Sequence, residues 1–371
     1  MKEEAFTLGV EEEFQLVDRQ TGELSSAIDR ILEQSRTELG EHIKAELVQS
    51  AVELISSVHS SIQGVRDELS RHRTLLTRIV RKEGLALMSA GTHPLSPWQD
   101  QKITERERYF QLVEEQQDAI RAQVIFGLHV HVGIPDPERA LRIMNQVRTW
   151  LPHLLALSGN SPFWGGRYTG IKSYRSLLWQ GGPRSGITPI FSSHAELDQY
   201  IQDLQAVHFI SGGGDIWWDV RLNAHFGTLE FRIFDMPATL EDTVALVALC
   251  QALVATLTWL DERNMQTQVL PGDYIMENKW QAVRYGLDAQ IADFTKLCRL
   301  PLRESCAELL DFVAEAADVL GSRNEIEYLR SLLQKPDGTG ADQQIAVYQK
   351  SGQVQDVVQY LLQQTMRGIN P

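Results

Sequence analysis

The chain has 371 residues and a formal net charge of −14, and it lacks the clustered lysines and arginines with which proteins bind nucleic acid. Its 43% hydrophobic and 23% charged residues are typical of a soluble globular protein, and no apolar run reaches the roughly 18 residues of a membrane span. The first residues do not resemble a signal peptide, and the three cysteines fall in apolar helical patterns without metal-ligand spacing. We therefore predict a cytoplasmic protein that binds neither nucleic acid nor membranes.

Hydrophobic periodicity predicts an α+β chain with a largely antiparallel sheet, because the strands come in nearby pairs as well as between helices. Strands are predicted near 5–17, 85–91, 127–134, 217–223 and 227–234, with one or two more within 44–57. Helices are predicted near 26–39, 59–83, 103–122, 137–158 and 196–207. The part from 240 to 371 is mostly helical and is expected to pack on the sheet, within one domain spanning 1–371.

The first predicted strand carries acidic side chains on one face. Apolar and polar residues alternate from Phe6 to Leu16, which places Glu11 and Glu13 on one face and Glu12 on the apolar back. The two outer carboxylates would lie about 7 Å apart, from a rise of roughly 3.3 Å per residue. They would repel each other unless a cation lay between them. Taken alone, this pattern fits either a metal site or a solvated strand face, whereas Glu12 suits a structural ion pair or an edge position.

Two further strands repeat this arrangement. One presents His129 and His131 opposite an apolar face, and the other presents Glu230 and Arg232. Charges can be scattered over an exposed sheet face without a function. Three strands with apolar backs and short-range polar pairs instead favour one site, in which carboxylate, imidazole and guanidinium groups share the surface of a single sheet.

Two more carboxylates, Glu46 and Glu53, are weaker candidates. On one straight strand they would face opposite sides, so both can reach a common site only if the chain bends or bulges between them. A ligand set with several glutamates and one or two histidines is rich in oxygen, which suits Mg²⁺ or Mn²⁺ better than zinc. The chain contains no P-loop and no helical zinc-protease motif.

Eight short motifs extend over almost the whole chain. They are TLGVEEEF at 7–14, SAGTHP at 89–94, GLHVHVG at 127–133, NSPFW at 160–164, SYRS at 173–176, WDVRLN at 218–223, FGTLEFR at 226–232 and RYGL at 284–287. Together and in this order they resemble the bacterial carboxylate–amine ligases of the second glutamate–cysteine ligase type. The resemblance implies the fold shared by glutamine synthetase and the guanidino kinases, a curved antiparallel sheet with helices on its convex side and ATP and metal ions on its concave face.

The resemblance also implies a reaction and the residues that perform it. ATP would phosphorylate a carboxylate, usually the γ-carboxylate of glutamate, and an amine such as that of cysteine would displace the phosphate to leave an amide. Arg232 would face the transferred phosphoryl group, with Glu230 as the second catalytic residue. The implied ligands of Mg²⁺ or Mn²⁺ are Glu11, Glu13, Glu46, Glu53, His129 and Glu230.

Substrate contacts are expected from the irregular segment 163–190, which is rich in glycine, arginine, tryptophan and proline. Arg175 is the first candidate for holding an amino-acid carboxylate because it lies in the SYRS motif, and Arg167 is a second. His131 would contact substrate or phosphate, or only hydrogen-bond its neighbours. Arg221 shares a strand face with Asp219 and is expected to pair with it. The chain departs from the family pattern within or beside this segment, at Gly159, Gly165 and Lys172. ATP and metal use therefore carry over better than the identity of the amino-acid substrates.

Two other functions are compatible with these motifs. A guanidino or amine kinase on the same fold would release a stable phosphorylated product, and a nucleotide-binding regulator would bind ATP without turnover. The pair Glu230 and Arg232 favours catalysis, because binding alone does not need an arginine that neutralises a phosphoryl group. We expect the protein to act on small molecules as a homo-oligomer, with a dimer favoured.

Overall fold

A seven-stranded antiparallel sheet forms the centre of the protein, in a computed structural model that describes residues 6–369. Its strands are β1 Leu8–Asp18, β2 Ile43–Ala45, β3 Ala51–Ile55, β4 Leu85–Met88, β5 Gly127–Gly133, β6 Val220–Asn223 and β7 Thr228–Asp235. In space they follow the order β6-β7-β5-β1-β3-β2, and β4 pairs with the second half of β1. The predicted α+β class and antiparallel sheet are confirmed.

Fifteen α-helices lie in the described part of the chain. They are α1 Ile28–Ser35, α2 Ile62–Lys82, α3 Glu107–Gln116, α4 Asp118–Arg121, α5 Pro137–Val147, α6 Leu151–Ser158, α7 Tyr174–Trp179, α8 His194–Ala206, α9 Leu240–Glu262, α10 Gly272–Tyr285, α11 Leu302–Phe312, α12 Ala314–Leu320, α13 Arg323–Leu333, α14 Gly340–Ser351 and α15 Val354–Thr365. Short two-stranded pairings join Phe163–Trp164 to Arg167–Tyr168, Ser185–Gly186 to Trp217–Trp218, and Gln290–Asp293 to Cys298–Pro301.

The alternation in β1 sets the two faces of the sheet. Leu8, Val10 and Phe14 are fully buried on one face, which packs against α2 and α9, while Glu11 and Glu13 lie on the other. Helix α9 is apolar on all sides because it is enclosed by β1, β5, α2, α5 and the C-terminal helices α12 and α13. It is long and apolar enough to cross a membrane, yet 83% of its most apolar window is buried inside the protein. Core helices of soluble proteins share this property.

Several predicted elements differ in detail, each for a local reason. The helix expected over 103–122 is divided into α3 and α4 at Gln117, whose φ of +50° is left-handed. The helix expected over 137–158 is divided into α5 and α6, with Pro152 in the first turn of α6. The segment 163–190 is less irregular than expected, since it contains α7 and a tight hairpin. The hairpin of Gln290–Asp293 and Cys298–Pro301 was not expected within the helical C-terminal third.

Glu12 forms the ion pair expected of it, beneath the sheet. Its two carboxylate oxygens accept hydrogen bonds from Arg73 Nε at 3.2 and 3.1 Å, and one also accepts from an Arg73 terminal nitrogen at 2.5 Å. Arg73 also donates to Thr243 at 3.0 Å and lies over the Phe14 ring. Both charged side chains are completely buried, so this pair fastens α2 and α9 to the back of β1.

We expect Glu12→Gln to lower the free energy of unfolding by about 3 kcal/mol, because it leaves the buried Arg73 charge unpaired. Urea denaturation followed by circular dichroism measures this loss. The double variant Glu12→Leu/Arg73→Met removes both charges and should recover most of the lost stability. A single variant as stable as the wild type would show that the pair does not fasten these elements.

Candidate active site

Strand register gathers the polar side chains of the sheet into one row. Glu11 lies opposite His129 across the β1–β5 pair, and Glu13 lies opposite Glu53 across the β1–β3 pair. His131 lies opposite Glu230 across the β5–β7 pair. Residues directly opposite each other on neighbouring strands have Cβ atoms about 5 Å apart. Four strands therefore bring these side chains, which are distant in sequence, within contact of one another.

The histidines and glutamates at the centre of the row touch directly. His129 Nδ1 lies 2.8 Å from Glu11 Oε2, and His131 Nε2 lies 3.4 Å from Glu11 Oε1. His129 Nε2 lies 3.8 Å from Glu13 Oε1, while Glu13 accepts a hydrogen bond from the Gly127 amide at 2.5 Å. The Nε2 atoms of both histidines are buried without a hydrogen-bond partner. Each is therefore a nitrogen that a bound cation could use.

Glu46 and Glu53 both reach the site because the chain turns between them. Strand β2 ends at Ala45 and β3 begins at Ala51, so the intervening residues reverse the chain and do not continue one straight strand. Oxygens of Glu13, Glu46 and Glu53 lie within 4.8 Å of one another. Glu46 and Glu53 could share one site only if the chain bent between them, and the turn between β2 and β3 is that bend.

Three glutamates of the acidic cluster, which consists of Glu11, Glu13, Glu46 and Glu53, have pKa values shifted in different directions. Burial, followed by repulsion from Glu13, raises the pKa of Glu46 to about 8. Burial, followed by repulsion from Glu46, raises the pKa of Glu53 well above its usual value. Burial also acts to raise the pKa of Glu11, but the interactions with His129 and His131 outweigh it and hold that pKa well below its usual value. A divalent cation among these carboxylates would relieve the repulsion between them.

Glu230 lies at the other end of the row between two arginines. Arg221 donates to it through Nε at 2.9 Å and through a terminal nitrogen at 3.2 Å, and Arg232 donates to it from the same strand. Burial would raise the pKa of Glu230, but Arg232 and Arg221 outweigh burial and lower it. Arg232 also lies 5.3 Å from the centroid of the Trp179 ring. A permanent positive charge is therefore fixed beside the acidic cluster.

The expected pair of Arg221 with Asp219 is not formed. Asp219 instead accepts a hydrogen bond from Lys279 of α10 at 2.6 Å, and both side chains are buried. Arg221 lies directly opposite Glu230 in the β6–β7 hairpin. Counting outward from the four-residue turn at 224–227 pairs Arg221 with Glu230, because hairpin residues equally far from a turn face each other.

Arg175 is buried beside the row, whereas Arg167 is not. A terminal nitrogen of Arg175 donates to the Arg232 carbonyl at 3.3 Å, and its Nε has no partner. Arg175 passes so close to Gly127 that a side chain at Gly127 would collide with the guanidinium. Arg167 is exposed in the hairpin with Phe163–Trp164. The structure thus brings Arg175 to the site and leaves Arg167 outside it.

Asp235 at the end of β7 holds the Arg175 segment in place, and the sequence analysis did not identify it. Its carboxylate accepts hydrogen bonds from the Asn160 amide at 2.8 Å, from the Ser161 hydroxyl at 2.6 Å and from the Ser173 hydroxyl at 2.7 Å. Ser161 Oγ in turn accepts from the Arg175 amide at 3.0 Å. The motifs NSPFW and SYRS supplied the signal, since Asn160, Ser161, Ser173 and Arg175 all lie in them.

A cavity of about 300 Å³ opens over the row. Its walls include Glu11, Glu13, Glu46, Glu53, His129, Arg175, Trp179, Arg221 and Arg232. A second cavity of about 720 Å³ adjoins it and shares Arg108, Leu112, Gly214 and Trp217 with it. His131 does not line either cavity, and its Nδ1 lies 2.9 Å from the Thr228 hydroxyl oxygen.

Three overlapping groups of side chains in the row have the spacing of metal ligands. They are Glu11, His131 and Glu230; Glu11, Glu53 and His129; and Glu13, Glu46 and Glu53. The ligand atoms in each group lie within 4.8 Å of one another. Carboxylate oxygens predominate, which suits hard divalent cations such as Mg²⁺ and Mn²⁺.

Solved structures with the same architecture show which fold this is. Glutamate–cysteine ligase from Francisella tularensis, solved in complex with AMP, matches with a TM-score of 0.74 at 13% identity, over 98% of this chain and 89% of that one. A bifunctional glutathione synthetase from Pasteurella multocida matches with a TM-score of 0.71 at 15% identity, over 98% of this chain and 52% of that one. These likenesses establish a common fold.

Sequence comparison identifies the family. The profile of Glutamate-cysteine ligase family 2 (GCS2) matches residues 7–360. Two relatives carry the name "Putative glutamate--cysteine ligase 2". The one from Solibacter usitatus is 42% identical over 366 residues, 98% of this chain and 94% of the relative. The one from Roseiflexus castenholzii is 46% identical over 364 residues, 98% of this chain and 96% of the relative. The chain therefore belongs to Glutamate-cysteine ligase family 2.

Proposed function

We propose that this protein uses ATP to join the γ-carboxylate of glutamate to the amine of cysteine or a similar amine. The observation that carries the proposal is the row of carboxylate, imidazole and guanidinium groups beneath the 300 Å³ cavity, in a chain of this family. The relatives' name and the AMP complex of the structural neighbour support the choice of substrates.

The reaction has two steps. A γ-carboxylate oxygen of glutamate attacks the terminal phosphorus of ATP, the bond to the bridging oxygen breaks, and ADP leaves. The resulting acyl phosphate has the leaving group that a free carboxylate lacks. The amine nitrogen then attacks the acyl carbon, phosphate departs with the bonding electrons, and the nitrogen loses a proton. The products are an amide, ADP and phosphate.

The proposed metal ligands are the acidic and imidazole groups of the row: Glu11, Glu13, Glu46, Glu53, His129 and Glu230. Their chemistry fits divalent cations, because the crowded carboxylates repel one another and the buried His129 Nε2 has no partner. Mg²⁺ or Mn²⁺ bound there would neutralise the phosphate oxygens of ATP and so help the nucleotide approach an acidic surface.

Arg232 is proposed to neutralise the charge that develops on the transferred phosphoryl group. Phosphoryl transfer depends on positioning and on electrostatic stabilisation more than on covalent help. Glu230 orients Arg232 through a direct ion pair, and Arg221 braces Glu230 from the neighbouring strand. These ion pairs hold the Arg232 guanidinium in place before the substrate binds. Such preorganisation is required for a large electrostatic stabilisation of the transition state.

The amino-acid carboxylate is assigned to Arg175 and not to Arg167. Arg175 lines the cavity, and its unpartnered Nε leaves one donor for a ligand. Arg167 is exposed and lines neither cavity. His131 is proposed to act indirectly, by orienting its neighbours Glu11 and Glu230, because it lies outside the cavity.

An ADP-release assay tests the proposed reaction across pairs of amino acids and small amines. We expect rapid release of ADP only when glutamate and an amine are both present, with an equal amount of amide formed. ADP and a stable phosphorylated product from one substrate alone would instead identify a kinase. Tight binding of Mg·ATP without any amino-acid-dependent ADP release would identify a regulator.

Arg232→Ala should lower kcat by about 10²–10³, since one preorganised donor to a developing oxyanion contributes roughly 3–4 kcal/mol. Steady-state kinetics measure the loss, and circular dichroism confirms that the variant is folded. The matched control is Arg81→Ala, which removes an exposed arginine of α2 and should leave kcat unchanged. If Arg232→Ala retained wild-type turnover, the phosphoryl group would have to be neutralised elsewhere.

Glu13→Gln should raise the Mg²⁺ concentration required for half-maximal ATP binding by about tenfold, because it removes one charged ligand from the most crowded group. Titration of a fluorescent ATP analogue with Mg²⁺ measures this shift. Glu308→Gln serves as a control, because it removes the charge of an exposed glutamate of α11 away from the site. An unchanged Mg²⁺ titration for Glu13→Gln would exclude Glu13 from the ligand set.

A further inference from the structure

A second cluster of histidine and glutamate lies away from the active site. His42 ends the short 3₁₀ turn Gly40–His42 before the edge strand β2, and Glu68 and His72 lie four residues apart on one face of α2. One ligand atom from each of the three lies within 4.8 Å of the others. The rings of His42 and His72 have centroids 4.8 Å apart. Among the described residues, this is the one group with metal-ligand spacing outside the polar row.

Hydrogen bonds around the cluster orient its ligand atoms. His42 Nδ1 lies 3.0 Å from the Ile55 carbonyl oxygen, so that nitrogen must carry the proton and Nε2 of the neutral ring keeps its lone pair. Glu68 accepts from the Ser57 amide at 2.7 Å and from the Ser57 hydroxyl at 2.9 Å, and His59 Nε2 lies 2.7 Å from it. Histidine and carboxylate ligands of metals are commonly held by such outer contacts.

A cationic group already lies between two of the three ligands. A terminal nitrogen of Arg71 is 3.3 Å from Glu68 Oε1 and 3.1 Å from His72 Nε2. The Arg71 side chain is 56% exposed, so it can move into solvent and leave these two ligand atoms to another cation. His72 is fully buried, and its Nδ1 has no hydrogen-bond partner. The cluster therefore attracts a positive charge. In this structure the charge is the guanidinium of Arg71, which a metal ion could displace.

We propose that His42, Glu68 and His72 bind a transition-metal ion of the zinc type. Two imidazole nitrogens and one carboxylate oxygen favour zinc, cobalt or nickel over Mg²⁺. Bonds of about 2.0–2.2 Å would draw the ligand atoms closer together than they are now. The half-buried His42 can supply that movement. The ion would fasten the three-residue edge strand β2 to α2, and water would complete its coordination.

Equilibrium dialysis of zinc in excess Mg²⁺ tests the proposal, because the active-site ligands are common to all the variants compared. Wild type should bind one zinc ion more than His42→Ala or His72→Gln, or bind it about tenfold more tightly. Cobalt should report the same difference through its visible absorption when bound to nitrogen. The matched control is His194→Ala, which removes a partly exposed histidine of α8 that pairs with Asp198. Equal zinc binding in wild type and His42→Ala would overturn the proposal.

Arg71→Gln supplies an independent test that does not alter a ligand. Removing the competing guanidinium should tighten zinc binding several-fold, and zinc should then raise the thermal unfolding midpoint more than it does in wild type. Circular dichroism establishes that each variant is folded. If His72→Gln does not fold, His42→Ala and Arg71→Gln decide the outcome. Zinc binding that weakens or stays the same in Arg71→Gln would contradict the assigned position of the ion.

Discussion

Mutual repulsion among glutamates on one sheet face is the constraint on which the rest of this structure depends. The registers of β1, β3 and β5, with the turn before β3, crowd Glu11, Glu13, Glu46 and Glu53 around one cavity. Such crowding lowers stability unless protons or cations compensate the charge. In the proposed function, bound cations would relieve this repulsion and let a triphosphate approach a carboxylate.

The remainder of the fold holds that crowded face rigid. The buried pair of Glu12 and Arg73 ties the back of β1 to the helices that cover it. Asp235 joins the end of β7 to the segment that carries Arg175, so one hydrogen-bond network links the polar row to Arg175. Glu230 is held by arginines on two strands, which fixes Arg232 before any ligand binds. Preorganised charges of this kind cost no reorganisation during the reaction.

Sequence alone predicted the parts that depend on strand periodicity. Alternation placed Glu11, Glu13, His129 and Glu230 on one face, because a strand turns each successive side chain to the opposite side. Their use as metal ligands remains a prediction. Side-chain contacts between residues far apart in the sequence could not be predicted from strand periodicity. Asp219 pairs with Lys279 of α10 and not with Arg221. The local sequence pattern of neither segment predicts this pair. The sequence motif ranked Arg175 above Arg167, but only the fold showed that Arg175 is buried beside the row and that Arg167 is exposed.

The most direct test of the central claim is an anomalous-difference map from crystals grown with Mn²⁺ and a non-hydrolysable ATP analogue. The account predicts manganese peaks within bonding distance of Glu11, Glu13 and Glu53, with the terminal phosphate between them and Arg232. Manganese and phosphate bound elsewhere, with these carboxylates facing only water, would contradict it.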